Sequence, residues 1–299
     1  MTSYIFNLFD PAAGTTTTAD VLPVISIDGA ERLATSITQL QEAFGISEMT
    51  PLPVGSVVNV YKYTKTNAPA QVAEGEEIGL TQYKRTIAKA VKLAFAKYRK
   101  RTTGEAIQQS GQEAAVNKTD RLVINEARNG ILDGFFSMIT TGATVGEEVT
   151  NGLQAAMATA WAGFVKHFDG YDAEPVWFIH PDDAAKYLAT APISLQTVFG
   201  MEYIENFMGR GRTFITPRVT SGRVFVTAAQ NINGVYIPVN SEAMGFFGYT
   251  ADETGLVGVK HVAADAFFSV ETYVTTAAGF YVEDATGVIA QPITYPESH

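Results

Sequence analysis

Residues Gly55–Tyr83 read as a two-stranded ribbon with no core of its own, set just ahead of a long helical pattern. A strand goes out along Val57-Val58-Asn59-Val60-Tyr61-Lys62-Tyr63, and a polar return follows around Glu74-Gly75-Glu76-Glu77. A two-stranded ribbon alone is marginal in water. It must lie on something, and the flanking sequence offers little to lie on. A neighbouring copy of the same chain is the economical support, so the pattern points to a protein that works by assembling.

Composition sets the outer bounds. With 299 residues, 46% of them hydrophobic, the chain can bury one large core or two smaller ones. Only 17% are charged, below the usual quarter. The surface is therefore rather neutral, which suits buried subunit contacts and ordinary solvent-facing surface alike. A net charge of −10 argues against tight wrapping by DNA or RNA, since phosphates are neutralised by Lys and Arg. It leaves room for enclosing nucleic acid, because an acidic wall repels it and lets it slide. The absence of cysteine excludes disulfides, zinc-thiolate sites and cysteine nucleophiles. No stretch approaches the ~20 apolar residues that span a bilayer. The start, Met1-Thr2-Ser3-Tyr4-Ile5-Phe6, lacks a basic region followed by an apolar one, so a soluble, untargeted chain is expected.

Along the chain, Met1–Asp28 is rich in Thr, Ala, Pro and Gly and reads as an extended arm. Leu33, Ile37, Leu40 and Phe44 mark one face of a short helix, stopped by Gly45. Lys84–Arg101 holds eight of the 21 basic residues and fits a helix or a strand equally well. From Gln112 to Thr140 runs the longest helical pattern, through Val116, Val123, Ala127, Ile131, Phe135 and Met138. Gly130 and Gly134 inside it suggest tight packing against a neighbour, or a bend. Gly142–Gly146 is a break. Asn151–Phe168 is amphipathic, Pro175–Ile179 is a buried strand, and His180-Pro181-Asp182-Asp183 opens another helix. Short strands are expected at Thr213–Thr216, Val224–Thr227 and Gly234–Ile237, and alternation resumes after Leu256.

Chemistry is sparse. His167, His180, His261 and His299 have no metal-ligand spacing, and His180 reads as a structural hydrogen-bonder. Gly209-Arg210-Gly211-Arg212 lacks the Walker lysine and serine and reads as a turn whose charges meet acids on a neighbour. Asp182-Asp183 and Asp252-Glu253 read as capping or solvated acids. Arg99-Lys100-Arg101, with Lys92, Lys97, Phe95 and Tyr98, has the interleaving of a single-strand platform. The acidic balance favours a charged strand that pairs with acids of the hairpin or of a sister subunit. Nothing calls for a cofactor, a metal or a catalytic residue.

The run from Leu40-Gln41-Glu42-Ala43-Phe44-Gly45 through Pro51-Leu52-Pro53-Val54-Gly55 to Val60-Tyr61-Lys62-Tyr63-Thr64-Lys65-Thr66 resembles the major capsid proteins of tailed bacteriophages. Glu74-Gly75-Glu76, Lys97-Tyr98-Arg99-Lys100, Pro175–Pro181 with Asp183–Leu188, Gly222–Ala228 and Tyr236–Asn240 carry the likeness onward, in order, to about residue 290. The resemblance implies an α+β chain of the Hong Kong 97-type capsid fold. It implies an N-terminal arm over 1–50, an extended β-hairpin loop over 54–84, and a peripheral domain with a long spine helix over 85–147 and 256–299. An axial domain takes 148–255.

The implied function is structural: hexamers and pentamers of one chain closing an icosahedral phage head around double-stranded DNA. Assembly in the host cytoplasm would involve scaffolding, portal and decoration proteins, no sequence-specific DNA contact and no membrane. Tyr61, Lys62, Tyr63, Lys65, Arg99, Lys100, Arg101, Arg210 and Arg212 are the expected inter-subunit contacts. Some members cross-link subunits through a Lys–Asn bond. Lys62 and Lys65 lie in the loop, but no partner Asn or promoting Glu matches, and that chemistry is not carried over. Two other readings stand beside this one. The first is an encapsulin-like bacterial nanocompartment shell of the same fold. The second, of a different class, is a hydrolase using Asp182 and Asp183 with a divalent metal.

Overall fold

The computed structural model describes residues 18–46, 49–66, 80, 82–146, 152–188, 196–198, 201–240 and 245–295. Helix α1 (Thr18–Phe44) leads into strands β1 (Met49–Pro51), β2 (Val57–Thr66), β3 (Gln82–Lys92) and β4 (Ala96–Thr103). Helix α2 (Gly104–Ser110), a π-helical turn (Glu113–Asn117), the long α3 (Lys118–Gly142), β5 (Thr144–Val145) and α4 (Leu153–His167) follow. Next come β6 (Pro175–Ile179), α5 (Pro181–Leu188), β7 (Gln196–Val198), β8 (Met201–Ile204), β9 (Arg212–Ile215), β10 (Arg223–Ala228) and β11 (Ile232–Tyr236). The chain ends with β12 (Thr250–Ala251), β13 (Val257–Ala264), β14 (Ser269–Thr276), β15 (Ala278–Val282) and β16 (Ile289–Pro292). Two compact units result. One takes the chain through Ala34 with Ala96–Ala127 and Pro238–Thr276, and the other takes Thr35–Phe95, Arg128–Ile237 and Ala277 onward.

The larger unit is built on a seven-stranded mixed sheet in the order β5-β16-β10-β6-β9-β8-β7. Its centre is β6, whose Val176-Trp177-Phe178-Ile179 is buried throughout. A strand covered on both faces loses the apolar–polar alternation of a half-exposed one. On one face, Trp177, Ile179, Val224 and Val226 pack with Met157, Ala160 and Phe164 of α4. On the other, Phe44 is the hub of an aromatic cluster. Its ring centroid lies 4.8 Å from Phe135, 5.2 Å from Phe214, 5.6 Å from Phe280 and 6.0 Å from Phe178. Edge-on geometries dominate, as the ring quadrupoles favour. A separate three-stranded sheet, β1-β11-β15, belongs to the same unit.

The smaller unit carries an antiparallel sheet in the order β12-β13-β14-β4. The π-helical turn widens the helix and loosens its carbonyls. Lys100 Nζ reaches the Val116 oxygen at 3.0 Å and Thr119 Oγ1 the Ala115 oxygen at 2.7 Å, so the polar cost is met within the unit.

Several expectations change. Residues 18–28 are helical rather than an extended arm. Their Thr-rich composition concealed this, and Pro23 and Gly29 lie inside the helix, where both are unfavourable. The described return strand is Gln82–Lys92, while Glu74–Glu77 lies outside the described residues. The open choice over Lys84–Arg101 resolves to strand, broken between β3 and β4. Gly130 and Gly134 are exposed, and a Cβ at Gly134 would meet nothing within 4 Å among the described residues, so no tight packing is seen at Gly134 there. The stop at Gly45 is as read. Its φ is +77°, with bonds of 3.0 Å from Gly45 N–H to the Glu42 oxygen and from Ile46 N–H to the Gln41 oxygen.

Candidate assembly surfaces

Among the described residues, strands β2 and β3 form a two-stranded sheet that joins no other sheet. With ten residues in β2, the ribbon extends roughly 34 Å. Its register shifts between Val60 and Tyr61: Val60 pairs with Lys89 and Tyr61 with Ile87, so Ala88 is a bulge. Among the described ribbon side chains only Val60 is buried. Every residue from Gln82 to Ile87 is exposed, on both faces. Tyr61 is half-buried beneath Arg85, whose guanidinium carbon sits 3.7 Å from the ring centroid. Lys62, Tyr63 and Lys65 lie in β2, and their side chains are outside the described set.

Strand β4 divides its charges by parity. Arg99 and Arg101 lie on one face of the sheet and reach Glu271 on β14 at 2.7 and 2.6 Å. The Tyr273 hydroxyl also donates to Glu271. Hydrogen bonds from Arg99, Tyr273 and Arg101 lower the Glu271 carboxyl to about 2. Lys100 lies on the opposite face. The register sets Lys100 beside Thr272 and Thr272 beside His261, across three adjacent strands. All three converge on Asp120 in the first turn of α3. Lys100 Nζ lies 2.5 Å and Thr272 Oγ1 2.9 Å from one carboxylate oxygen, and His261 Nε2 lies 2.7 Å from the other. The His261 side chain is 1% exposed. Burial works against the charge of Asp120, but hydrogen bonds from His261 and Lys100 outweigh it and hold the carboxyl below its ordinary value. The basic segment thus meets acids of its own chain, on β14 and α3.

No family model matches the sequence, and no curated protein matches it. Solved structures do. A chain of Gordonia phage Cozz is similar over 97% of this chain and 98% of its own length, with a TM-score of 0.54 at 13% identity. A chain from the capsid of an empty GTA particle is similar over 82% of this chain and 87% of its own, with a TM-score of 0.52 at 14% identity. One from the capsid of the cyanophage P-SCSP1u gives 0.51 at 9% identity, over 84% and 86%. The chain has the Hong Kong 97-type fold. At these identities the likeness speaks for the fold alone.

In this Hong Kong 97-type chain the remaining candidates all have intrachain roles. Arg210 lies 4.7 Å over the Trp161 ring, and its carbonyl accepts from Trp177 Nε1 at 2.7 Å. Arg212 Nη1 donates to the Glu42 and Ala43 oxygens at 3.1 and 3.0 Å, at the negative end of the α1 dipole. Gly211 has φ +98°, and a Cβ there would sit 2.5 Å from the Pro175 oxygen. The Gly-Arg-Gly-Arg segment is therefore a tight turn into β9, as its spacing suggested. Its guanidinium groups are occupied within the subunit.

Asp182 and Asp183 do not converge. The buried Asp183 accepts from Gly222 N–H at 2.7 Å and fixes the turn before β10, whereas the Asp182 side chain is 74% exposed. His180 Nδ1 accepts from Asp182 N–H at 3.2 Å, the structural role expected. Asp252 accepts from Thr254 and Val257 N–H groups and holds the turn before β13. Among the described residues no group of three His, Cys, Asp or Glu is placed to hold a metal. Sequence gave no sign of the Phe267-Phe268 tip between β13 and β14. Both rings are exposed, Phe268 has φ +44°, and its carbonyl accepts from Gly104 N–H at 2.6 Å. A Cβ on Gly104 would lie 2.2 Å from the Phe268 ring, so a larger residue there must displace the ring.

Proposed function

We propose that this chain is the major capsid protein of a tailed phage, assembling through hexamers and pentamers into an icosahedral head that encloses double-stranded DNA. The observation that carries the reading is the ribbon. Residues Gln82–Ile87 stay exposed on both faces, and a ribbon of that length needs support from outside its own subunit. The similarity of the fold to chains from the GTA and cyanophage capsids supports the same reading.

On this reading 1–50 is the N-terminal arm, and the extended loop starts near 54 and is drawn out to Lys92 to include all of β3. The rest of 85–147 with 256–299 is the peripheral domain, and 148–255 is the axial domain around the five- and six-fold axes. Tyr61, Lys62, Tyr63 and Lys65 carry contacts to the adjacent subunit. Arg99, Lys100, Arg101, Arg210 and Arg212 are the further contacts on this reading, and they also hold the subunit's own elements in register. A separate scaffold, a portal and decoration proteins complete the head, and DNA is held without base-specific contacts in a virion component free of membrane.

The test is negative-stain microscopy with sedimentation of the purified full-length chain. Closed particles are expected. Excising Lys62–Thr86 and closing β2 onto β3 with an Asn-Gly turn is expected to leave a folded subunit that forms none. A wild-type chain that sediments only as a small oligomer overturns the proposal. Particles filled with protein cargo instead of nucleic acid reassign the shell to a nanocompartment.

A further inference from the structure

The inner and outer halves of the ribbon present opposite apolar faces, and the change falls at one residue. At the base Val58 pairs with Val91 and Val60 with Lys89. Val60 is 5% exposed and Val58 and Val91 are half-buried, whereas Val57, Asn59, Ala90 and Lys92 on the reverse side are exposed. Beyond the bulge at Ala88, Tyr61 pairs with Ile87, Tyr63 with Arg85 and Lys65 with Tyr83. Side chains alternate along a strand, so Tyr83, Arg85 and Ile87 share the face of Tyr61, which is the exposed side of the base. Tyr83 and Ile87 are 64% and 60% exposed there. The other outer face is Gln82, Lys84 and Thr86, all polar.

A ribbon lying along its own subunit keeps one apolar face from end to end, because a slip of one residue turns every side chain over. This ribbon does the opposite. It buries valines on one side at its base and sets tyrosine and isoleucine on the other side beyond the bulge. Its two strands carry six cations (Lys62, Lys65, Lys84, Arg85, Lys89, Lys92) and no anion, in a chain of net charge −10.

We infer that the outer ribbon docks through the Tyr61–Tyr83–Arg85–Ile87 face onto an acidic surface of a second copy of this chain. The inference rests on the shell reading and adds which face is covered and by what charge. A second copy fits because the rest of the chain is strongly negative, which complements the basic strands. A nucleic acid would be met by the cations on both outer faces alike, whereas the exposed apolar side chains lie on one.

Sedimentation velocity on three full-length chains decides it: wild type, Tyr83→Ser/Ile87→Ser, and Gln82→Ala/Thr86→Ala on the opposite face. Each is run at 0.1 and 1 M NaCl, with far-UV circular dichroism to confirm folding. Wild type and the opposite-face variant are expected to assemble alike. The Tyr83→Ser/Ile87→Ser chain should need at least about tenfold higher concentration, as when buried anchors are cut from an interface. High salt, which shortens the screening length from ~10 to ~3 Å, should weaken wild-type assembly. A wild type that never assembles removes the shell reading and this inference together. If wild type assembles and the Tyr83→Ser/Ile87→Ser chain matches it, this inference alone is overturned. The same holds if that variant assembles normally and loses only binding to a fluorescent DNA oligonucleotide, which assigns the face to nucleic acid.

Discussion

Arg212 donates to the carbonyl oxygen of Ala43 at 3.0 Å, joining the first residue of β9 to the last turn of α1 across 169 positions of sequence. A cation at a helix C-terminus gains from the dipole and satisfies carbonyls that have no intrahelical partner. Arg212→Ala is expected to lower stability by about 1.5–3 kcal/mol, the range for hydrogen bonds to charged groups. Arg212→Lys should recover part of it. The readout is the urea midpoint, and an unchanged midpoint in the alanine variant would mean that water replaces the guanidinium at no cost.

Asp120 is the larger liability. Its removal leaves Lys100, whose side chain is 16% exposed, without its carboxylate. Breaking one partner out of a buried ion pair costs about 3–5 kcal/mol. Asp120→Ala is expected in that range, and the double variant Asp120→Ala/Lys100→Met should be more stable than the single one. Equal midpoints for the two would show that the ammonium finds other support.

Acid should act through Glu271. Its carboxyl is lowered from 4.5 to about 2 in the folded chain by hydrogen bonds from Arg99, Tyr273 and Arg101. The ionised form therefore stabilises the fold above about pH 4.5, and that contribution is lost as pH falls toward 2. Asp120, also lowered, loses its contribution in the same direction. Glu271→Gln should flatten the fall of the urea midpoint between pH 4.5 and 2. An unaltered slope would place the acid response on other carboxylates.

Phe268 holds a left-handed backbone at φ +44°, a conformation costing an L-residue about 1–2 kcal/mol. Its ring is 65% exposed, so little burial is lost when it is removed. Phe268→Gly is expected to leave the melting temperature of the subunit unchanged or raised. Gly104→Ala should lower it, and Phe268→Gly in that background should restore it, because the added methyl collides with the ring. A clear loss of stability in Phe268→Gly alone would give the ring a packing role.

Local patterns were legible where one periodicity dominated. The apolar run of β6, the stop at Gly45 and the long pattern of α3 each carry their own signal within a few residues. The hairpin was legible as an element without its own core, but the strand that pairs with β2 runs to Lys92, past the Tyr83 limit expected for it, and Glu74–Glu77 lies outside the described residues. Glycine and glutamate look like a turn and a polar strand, while the true return hides in a basic segment compatible with helix as well. The charged clusters were beyond reach for a different reason. Arg99 and Glu271 are separated by 172 positions, and Lys100, His261 and Thr272 become neighbours only through strand order. Sequence showed the cations and could not show which carboxylates meet them.

The Asp120 carboxylate of α3 touches β4, β13 and β14 at once. A pull on any one of those strands is passed through a single side chain to the axis of the helix. None of β4, β13 and β14 can therefore shift against the helix without breaking a hydrogen bond to that one carboxylate.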